Sequence, residues 1–314
     1  MDERGRLAML TGMFASAAAE VAGVEVAIGD DAAVLAWPEG GRAVWTIDEQ
    51  VEGTHFRREW LSWRDVGWRS FMAAASDLAA MGAVPWCALS ALVLPAGLTD
   101  AALEEIAAGQ RAAAETLGAP VVGGNLARGE CLSIATTLLG RCDRPVLRRG
   151  ARPGDSLWVA GRLGISAAGM RALERGRAGE TVLAPAVAAW RRPSALVAAG
   201  RAMATSARAA IDVSDGLARD VGHVAEASGV QVVLDEDALV GDAELISAAA
   251  ALGEAPVGLA LHGGEDYALV AVAPGPIEGF RRLGEVAAGS GVILRGATGE
   301  RPVEPRGFDH FESR

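Results

Sequence analysis

The chain has 314 residues, 51% of them hydrophobic, with a formal net charge of -11. That length holds two ordinary domains or one large one, and so acidic a balance argues against a broad electrostatic footprint for nucleic acid. None of the 29 residues counted as Lys+Arg is a lysine, which excludes a Walker A loop, a Schiff-base enzyme and a Ser-Lys hydrolase.

In chain order, residues 2–20 have the pattern of an amphipathic helix, and residues 24–28 that of a short strand running into Gly29, Asp30 and Asp31. Adjacent carboxylates repel one another, so this turn asks for a positive partner. A second strand over 43–47, with β-branched residues and an aromatic, ends at Asp48. Beyond the loop 49–56, a helix is predicted over 63–81, stopped by Gly82 and Pro85, with Ser76 and Asp77 in its last turns. A strand over 86–94, a helix over 100–117 started by Thr99 or Asp100, a strand over 120–122 ending in Gly123, Gly124 and Asn125, and a strand over 131–139 follow. Arginines and a proline in 141–150 interrupt the apolar pattern, and the expected domains are 1–142 and 143–314.

The second half opens with a strand over 156–160, and the turn 161–164 leads into a helix that includes Met170. Helices over 183–191 and 194–203 precede a strand over 209–211, which ends at Asp212, Val213, Ser214, Asp215 and Gly216 ahead of an amphipathic helix over 217–228. A strand over 231–234, a helix over 242–252 and a strand over 268–273 complete the pattern, the last preceded by His262, Gly263, Gly264, Glu265, Asp266 and Tyr267. The segment 305–311 is too aromatic for a frayed end. Strands alternating with helices predict an α/β or α+β protein with mixed sheets covered by helices.

No run of about 18 apolar residues occurs, and the opening Met-Asp-Glu-Arg lacks the basic start and apolar core of a signal peptide. No membrane association is expected, and the expected address is cytoplasmic. The cysteines Cys87, Cys131 and Cys142 are odd in number and form no CxxC pair, so they are expected as buried small hydrophobes and not as a disulfide or zinc framework.

Asp30, Asp48, Asp77, Asp212 and Asp215 each stand near a strand or helix end. Hard cations such as Mg²⁺ take oxygen ligands, usually one or two carboxylates with substrate phosphates and waters, and scattered carboxylates suit that need. An aspartate beside Ser or Gly is also an ordinary cap or turn residue. For Asp212, Ser214 and Asp215 both roles are compatible, because the N–H groups of a helix start attract phosphate as well. The loop beginning at Asp212 is no EF-hand, since it lacks the alternating acidic spacing and has His223 in the place of the closing Glu. No G-x-G-x-x-G follows a strand, and residues 164–169 do not form G-x-S-x-G. The four histidines, His55, His223, His262 and His310, are too dispersed for a helical metal pair. His223 reads as structural, His55 and His262 as ligand contacts or scaffold, and His310 as part of a docked tail.

Eight segments resemble, in order, the motifs of the thiamine-monophosphate kinase family: 28–35 (IGDDAAVL), 46–48 with 51–56 (TID, VEGTHF), 76–82 (SDLAAMG), 123–125 (GGN), 148–155 (RRGARPGD), 211–217 (IDVSDGL), 263–267 (GGEDY) and 307–311 (GFDHF). That family is a branch of the superfamily that includes aminoimidazole ribonucleotide synthetase and selenophosphate synthetase. The resemblance implies two α/β domains with ATP bound between them, the first pairing across a homodimer, and transfer of the ATP γ-phosphoryl group to thiamine monophosphate. It also implies that Asp30, Asp48, Asp77, Asp212 and Asp215 hold several Mg²⁺ ions, with Thr46 and the backbone at Ile47 assisting. Arg148 and Ser214 would contact ATP, and His55 and Glu265 the thiamine substrate. Two positions depart from the family's pattern. Its Gly-Gly motif often ends in an Asp metal ligand where this chain has Asn125, whose amide oxygen coordinates with one charge fewer. Its tail often has a substrate-stacking aromatic residue where this chain has Pro305, and Phe308 is the aromatic at hand to replace it.

A phosphate acceptor with a second pKa of about 6 is already largely ionised near neutral pH, so no general base or covalent nucleophile is expected. Two alternatives stay open: another ATP-dependent synthetase of the same superfamily, or a non-catalytic nucleotide-binding paralogue.

Overall fold

The computed structural model describes residues 24–26, 30, 33–36 and 41–308. The helix predicted over 2–20, Asp31 of the acidic turn, and His310 with Phe311 of the tail lie outside the described residues. The chain divides into two compact units: the described residues up to Leu78 with Ala83–Pro145, and Ala79–Gly82 with the described residues from Val146 onward.

The first unit contains β1 (Val24–Val26), β2 (Ala33–Ala36), β3 (Arg42–Val51), α1 (Trp63–Ala80, its last two residues counted with the second unit), β4 (Val84–Pro95), α2 (Asp100–Leu117), β5 (Val121–Gly129) and β6 (Ser133–Cys142). The six strands form one sheet in the order β1-β2-β3-β6-β4-β5, in which only β4 and β5 run parallel. β3 is longer than its apolar pattern predicts: it pairs with β6 from Arg42 opposite Cys142 to Val51 opposite Ser133, so Asp48 lies inside the strand and not at its end. β5 likewise takes Gly123, Gly124 and Asn125 into the ladder. In both cases backbone pairing with a neighbour carries the strand past the residues that look like a turn.

Side chains of β3 alternate across the sheet. Thr46 and Gln50 are buried and Asp48 half-buried, whereas Trp45, Ile47 and Glu49 are exposed. Helices α1 and α2 cover the buried face, and a polar network ties them to it: Gln110 Nε2 lies 2.9 Å from Ser90 Oγ, 3.3 Å from Ser70 Oγ and 3.4 Å from Thr136 Oγ1. All four residues are buried, so this network fixes the register of helices on sheet. Thr99 caps α2 by accepting from the Ala102 N–H at 3.2 Å, and Gly118 closes it in the left-handed conformation. The two helices touch backbone to backbone: a Cβ added at Gly109 would lie 2.0 Å from the Arg64 carbonyl oxygen, and one at Gly67 1.9 Å from that of Ile106. The cysteines do not form the core expected of them. Cys131 is exposed in the β5–β6 connection, and Cys87 and Cys142 are half-buried near a bulge and a strand end.

The second unit contains β7 (Ser156–Ala160), α3 (Ile165–Glu174), α4 (Ala184–Arg191), α5 (Val197–Met203), β8 (Ala209–Asp212), α6 (Leu217–Ser228), β9 (Gln231–Asp235), the one-turn α7 (Glu236–Leu239), α8 (Ala243–Leu252), α9 (Pro256–His262), β10 (Leu269–Ala273), β11 (Arg281–Ala287), β12 (Gly291–Gly296) and β13 (Gly299–Val303). Its sheet has the order β13-β12-β9-β11-β7-β10-β8, with β9 and β12 the parallel pair. Both β8 and β10 are buried along their whole length, and Ala79 and Ala80 join Met203, Ala210, Leu269 and Ala271 in the core. Sequence periodicity misses α9, which is only seven residues long and contains a glycine, and β11 to β13, whose glycines and arginines break any apolar alternation. Among the described residues no single helix is long and apolar enough to cross a membrane.

The start of α3 is capped from a distant part of this unit. Asp266 accepts from the Gly164 and Ser166 N–H groups, the latter at 3.1 Å, supplying the acceptor oxygens that a helix N-terminus lacks. Asp266 is half-buried as a residue, but its carboxylate is enclosed by the turn it caps, and desolvation pushes its pKa up to about 7 despite the two donors.

Gly109→Ala overpacks the α1–α2 crossing and is expected to cost ~2 kcal/mol, read as a lower midpoint in denaturant unfolding. Between pH ~4, where an unfolded aspartate ionises, and pH 7, the folded Asp266 holds a proton that the unfolded chain releases. Its contribution to stability is therefore greatest below that window and is lost as pH rises through it. In Asp266→Asn this loss is absent, so the Tm difference, variant minus parent, should climb from pH 4 to 7 and then level off.

Candidate active site

In the first unit, Thr46 and Asp77 are in contact, and Asp48 shares the face of the sheet that Thr46 occupies. β3 points Thr46 and Asp48 to the helix-covered side of the sheet, two residues apart, as the period of a strand requires. α1 brings Asp77 up from below, and the Thr46 hydroxyl donates to Asp77 Oδ2. The Thr46 carbonyl in turn accepts from the Thr137 hydroxyl at 2.5 Å. This threonine is thereby locked in rotamer and strand position, and its bond orients the half-buried Asp77 carboxylate. The Ile47 backbone is held in the β6 ladder opposite Thr137, with its side chain 67% exposed on the opposite face. Asp30 is half-buried.

Two other predicted residues of this unit lie apart from that surface. Asn125 is exposed on β5, the edge strand, and its register line runs through Ala91 and Ala135 to Glu49, on the face opposite Asp48. Three strand spacings separate it from β3, about 14 Å. Gly124 is required there for a different reason: a Cβ would lie 1.8 Å from the Ser90 carbonyl oxygen. His55 sits in the tight turn after β3, where its Nδ1 accepts the Val51 N–H at 3.0 Å. That bond places the proton of a neutral ring on Nε2.

In the second unit, the loops 212–216 and 263–267 are zipped side by side. They prolong the β8–β10 pairing, in which Asp212 is opposite Leu269. Val213 N donates to Ala268 O at 2.8 Å, Tyr267 N to Val213 O at 2.8 Å, and Glu265 N to Ser214 O at 2.7 Å. Gly264 permits this approach, since a Cβ there would lie 2.4 Å from the Ser214 carbonyl oxygen. The tail closes the same group when Phe308 N donates to Asp215 O at 3.1 Å. Asp212, Ser214, Asp215, Glu265 and Phe308 are thus brought together by main-chain bonds, although 96 residues separate the first from the last.

Asp212 is 2% exposed at the end of β8, while Asp215 faces Arg219 Nε at 3.7 Å. Glu265 accepts from the indole N–H of the buried Trp190 and sits at φ +64°, and Tyr267 sits at +49°. Two left-handed non-glycine residues in one short loop mark stored backbone strain of the sort that collects at binding sites. Arg148 leaves the strand-like segment in which Leu147 O accepts from Ala210 N at 2.9 Å, two residues before Asp212. Ser228, at the end of α6, holds it by donating to Arg148 O at 3.2 Å and accepting from Gly150 N and Ala151 N at 3.1 and 3.2 Å.

Sequence reasoning missed Asp220. Its Oδ2 accepts from the Ser214, Asp215 and Gly216 N–H groups at 3.1, 3.2 and 3.1 Å. The amides of this helix start, read from the sequence as open to phosphate, are thus occupied by an internal carboxylate. The signal was an acid in the first turn of a helix that follows an acidic turn.

Among the described residues no three or more His, Cys, Asp or Glu side chains are gathered closely enough to form a ready metal cage. The donor set of each unit is nevertheless all oxygen, and Mg²⁺ asks little more of a protein than one or two carboxylates when phosphates and waters complete its shell.

Residues 29–142 match the family model of the AIR synthase related protein N-terminal domain, and residues 152–294 that of the C-terminal domain. A thiamine-monophosphate kinase from Aquifex aeolicus is 35% identical over 292 residues, covering 90% of this chain and 92% of its own. One from Mycobacterium tuberculosis is 39% identical over 270 residues, covering 85% and 80%. A solved structure of AaThiL complexed with AMPPCP and TMP superposes with a TM-score of 0.90 at 32% identity, covering 99% of this chain and 97% of that one. The motif residues, the two α/β units and the whole-length similarity agree, and the chain belongs to the thiamine-monophosphate kinase family of AIR synthase related proteins.

Proposed function

We propose that this chain transfers the γ-phosphoryl group of ATP to thiamine monophosphate, giving ADP and thiamine diphosphate. The observation that carries the reading is that the family's motif residues are oxygen donors already set in place, Thr46 and Asp77 by their mutual bond and Asp212 and Asp215 by the loop ladder. Thr46, Asp48 and Asp77 hold Mg²⁺ on the first unit, and Asp212 and Asp215 hold it on the second. Asp30 joins them on the strength of the motif. Asn125 is left out, because its register puts it on the other face of the sheet. When bound, Mg²⁺ offsets the charge of phosphates that would otherwise be repelled by a chain of net charge -11.

The chain's own work is positioning. Phosphoryl transfer needs the two phosphates in line and their charge stabilised, and no step calls for a proton acceptor stronger than the acceptor phosphate itself. His55 presents a donor at Nε2. Glu265 offers a carboxylate, oriented by Trp190, to the cationic thiazolium ring of the substrate. Phe308 supplies an aromatic face, and Arg148 and Ser214 contact ATP.

The apolar side of the first sheet supports a homodimer. Trp45, Ile47 and Leu89 share that face by register, Trp86 adjoins them at a bulge, and all four are between 43% and 67% exposed. A patch of this kind on an acidic protein is covered by a partner more often than left in water.

Incubation with ATP, Mg²⁺ and thiamine monophosphate should yield ADP and thiamine diphosphate on chromatography; ADP without thiamine diphosphate overturns the reading. Asp77→Asn should lower kcat/KM by about 100-fold with an unchanged far-UV spectrum. Light scattering on an eluting peak should report twice the mass of one chain, and Leu89→Arg should halve it.

A further inference from the structure

The start of a helix preceded by a turn is a ready anion site, because its first N–H groups lack partners and its dipole favours negative charge. In α6 that capacity is already used. Three successive amides, of Ser214, Asp215 and Gly216, converge on the single oxygen Oδ2 of Asp220, a residue 3% exposed in the helix's first turn. A phosphate oxygen could reach these amides only by displacing a buried carboxylate that accepts three bonds, and charge-assisted bonds of this kind are among the stronger ones. The carbonyls of the same loop are also engaged, Val213 O by Tyr267 N, Ser214 O by Glu265 N and Asp215 O by Phe308 N. With its main chain taken up on both edges, the loop meets a ligand through the side chains of Asp212, Ser214 and Asp215, whose oxygens suit a cation.

We infer that Asp220 is a positioning residue that converts an anion-binding helix start into a platform for a divalent cation, by holding Asp212, Ser214 and Asp215 in place through their backbone. The inference rests on the reading that Asp212 and Asp215 hold Mg²⁺. Asp220 itself touches neither metal nor substrate. Its neighbour Arg219 faces the Asp215 carboxylate at 3.7 Å, a contact that Asp220 also keeps in register by fixing the turn between them.

Mn²⁺ reports on such a site without turnover. The full chain is titrated with Mn²⁺ in the presence of AMPPCP, and free Mn²⁺ is followed by electron paramagnetic resonance. Asp220→Asn keeps an acceptor oxygen but loses the charge and should weaken Mn²⁺ binding by about tenfold or more, the scale for losing a group that orients metal ligands. In a turnover assay the half-saturating Mg²⁺ concentration should rise by a similar factor, with kcat largely recovered at high Mg²⁺. General loosening of the fold would instead reduce the active fraction without moving that midpoint. Unchanged Mn²⁺ affinity in folded Asp220→Asn overturns the inference. Should the variant not fold, hydrogen exchange on the parent protein decides. Slow exchange at 214–216 is required and fast exchange refutes it. A parent protein that binds no Mn²⁺ would defeat the underlying metal reading instead, an outcome separate from any difference between parent and variant.

Discussion

A carboxylate taken out of water must be met by hydrogen bonds or by a cation, and the acids of this chain sort by which partner they have. Asp220 and Asp266 are satisfied by backbone amides, three and two of them. Asp155, 3% exposed, takes the Arg152 N–H and the Arg208 guanidinium, each at 2.9 Å. These three are finished structures: each has its counter-charge or donors within the protein and each holds a turn. Asp77 and Asp215 differ. Asp77 accepts from the Thr46 hydroxyl and Asp215 faces the Arg219 guanidinium at 3.7 Å, and on the proposed reading both also meet an outside cation. The division matters more than the number of acids, because the first kind builds turns and the second is the kind proposed to meet a cation.

The two kinds are also coupled. In the second unit the finished acids build the loops that carry the acids proposed for function, Asp220 beneath 214–216 and Asp266 beside Glu265. In the first unit a similar division runs across one sheet. Period-two alternation sends Thr46 and Asp48 to the helix side, while Trp45 and Ile47 go to the side proposed for the partner subunit. On the proposed reading, one strand serves chemistry with its even residues and assembly with its odd ones.

Much of this was legible in the residues alone. The helix over 100–117 announced itself through Thr99 or Asp100 at its start, and the helix over 217–228 through its apolar stripe. The acidic motifs were visible as motifs. What the sequence could not show was partnership. Asp220 reads as an ordinary first-turn acid until the chain's path bends three amides onto it. Asp266 was hidden beside Glu265, because which of two adjacent acids turns inward depends on a loop held in the left-handed region. Asp48 and Asn125 look like turn residues, and only pairing with β6 and β4 makes them strand residues. The cysteines went astray for a related reason: composition says how a residue type behaves on average, while position on a bulge, a strand end or a connection decides the case.

The left-handed backbone at Glu265 sets a direction for change in this protein. A glutamate at φ +64° costs of the order of 1 kcal/mol that glycine or asparagine would not. Selection for heat resistance alone would therefore tend to replace Glu265, and with it the carboxylate that Trp190 orients. A population kept warm without need of its product would drift toward a sturdier and less competent form.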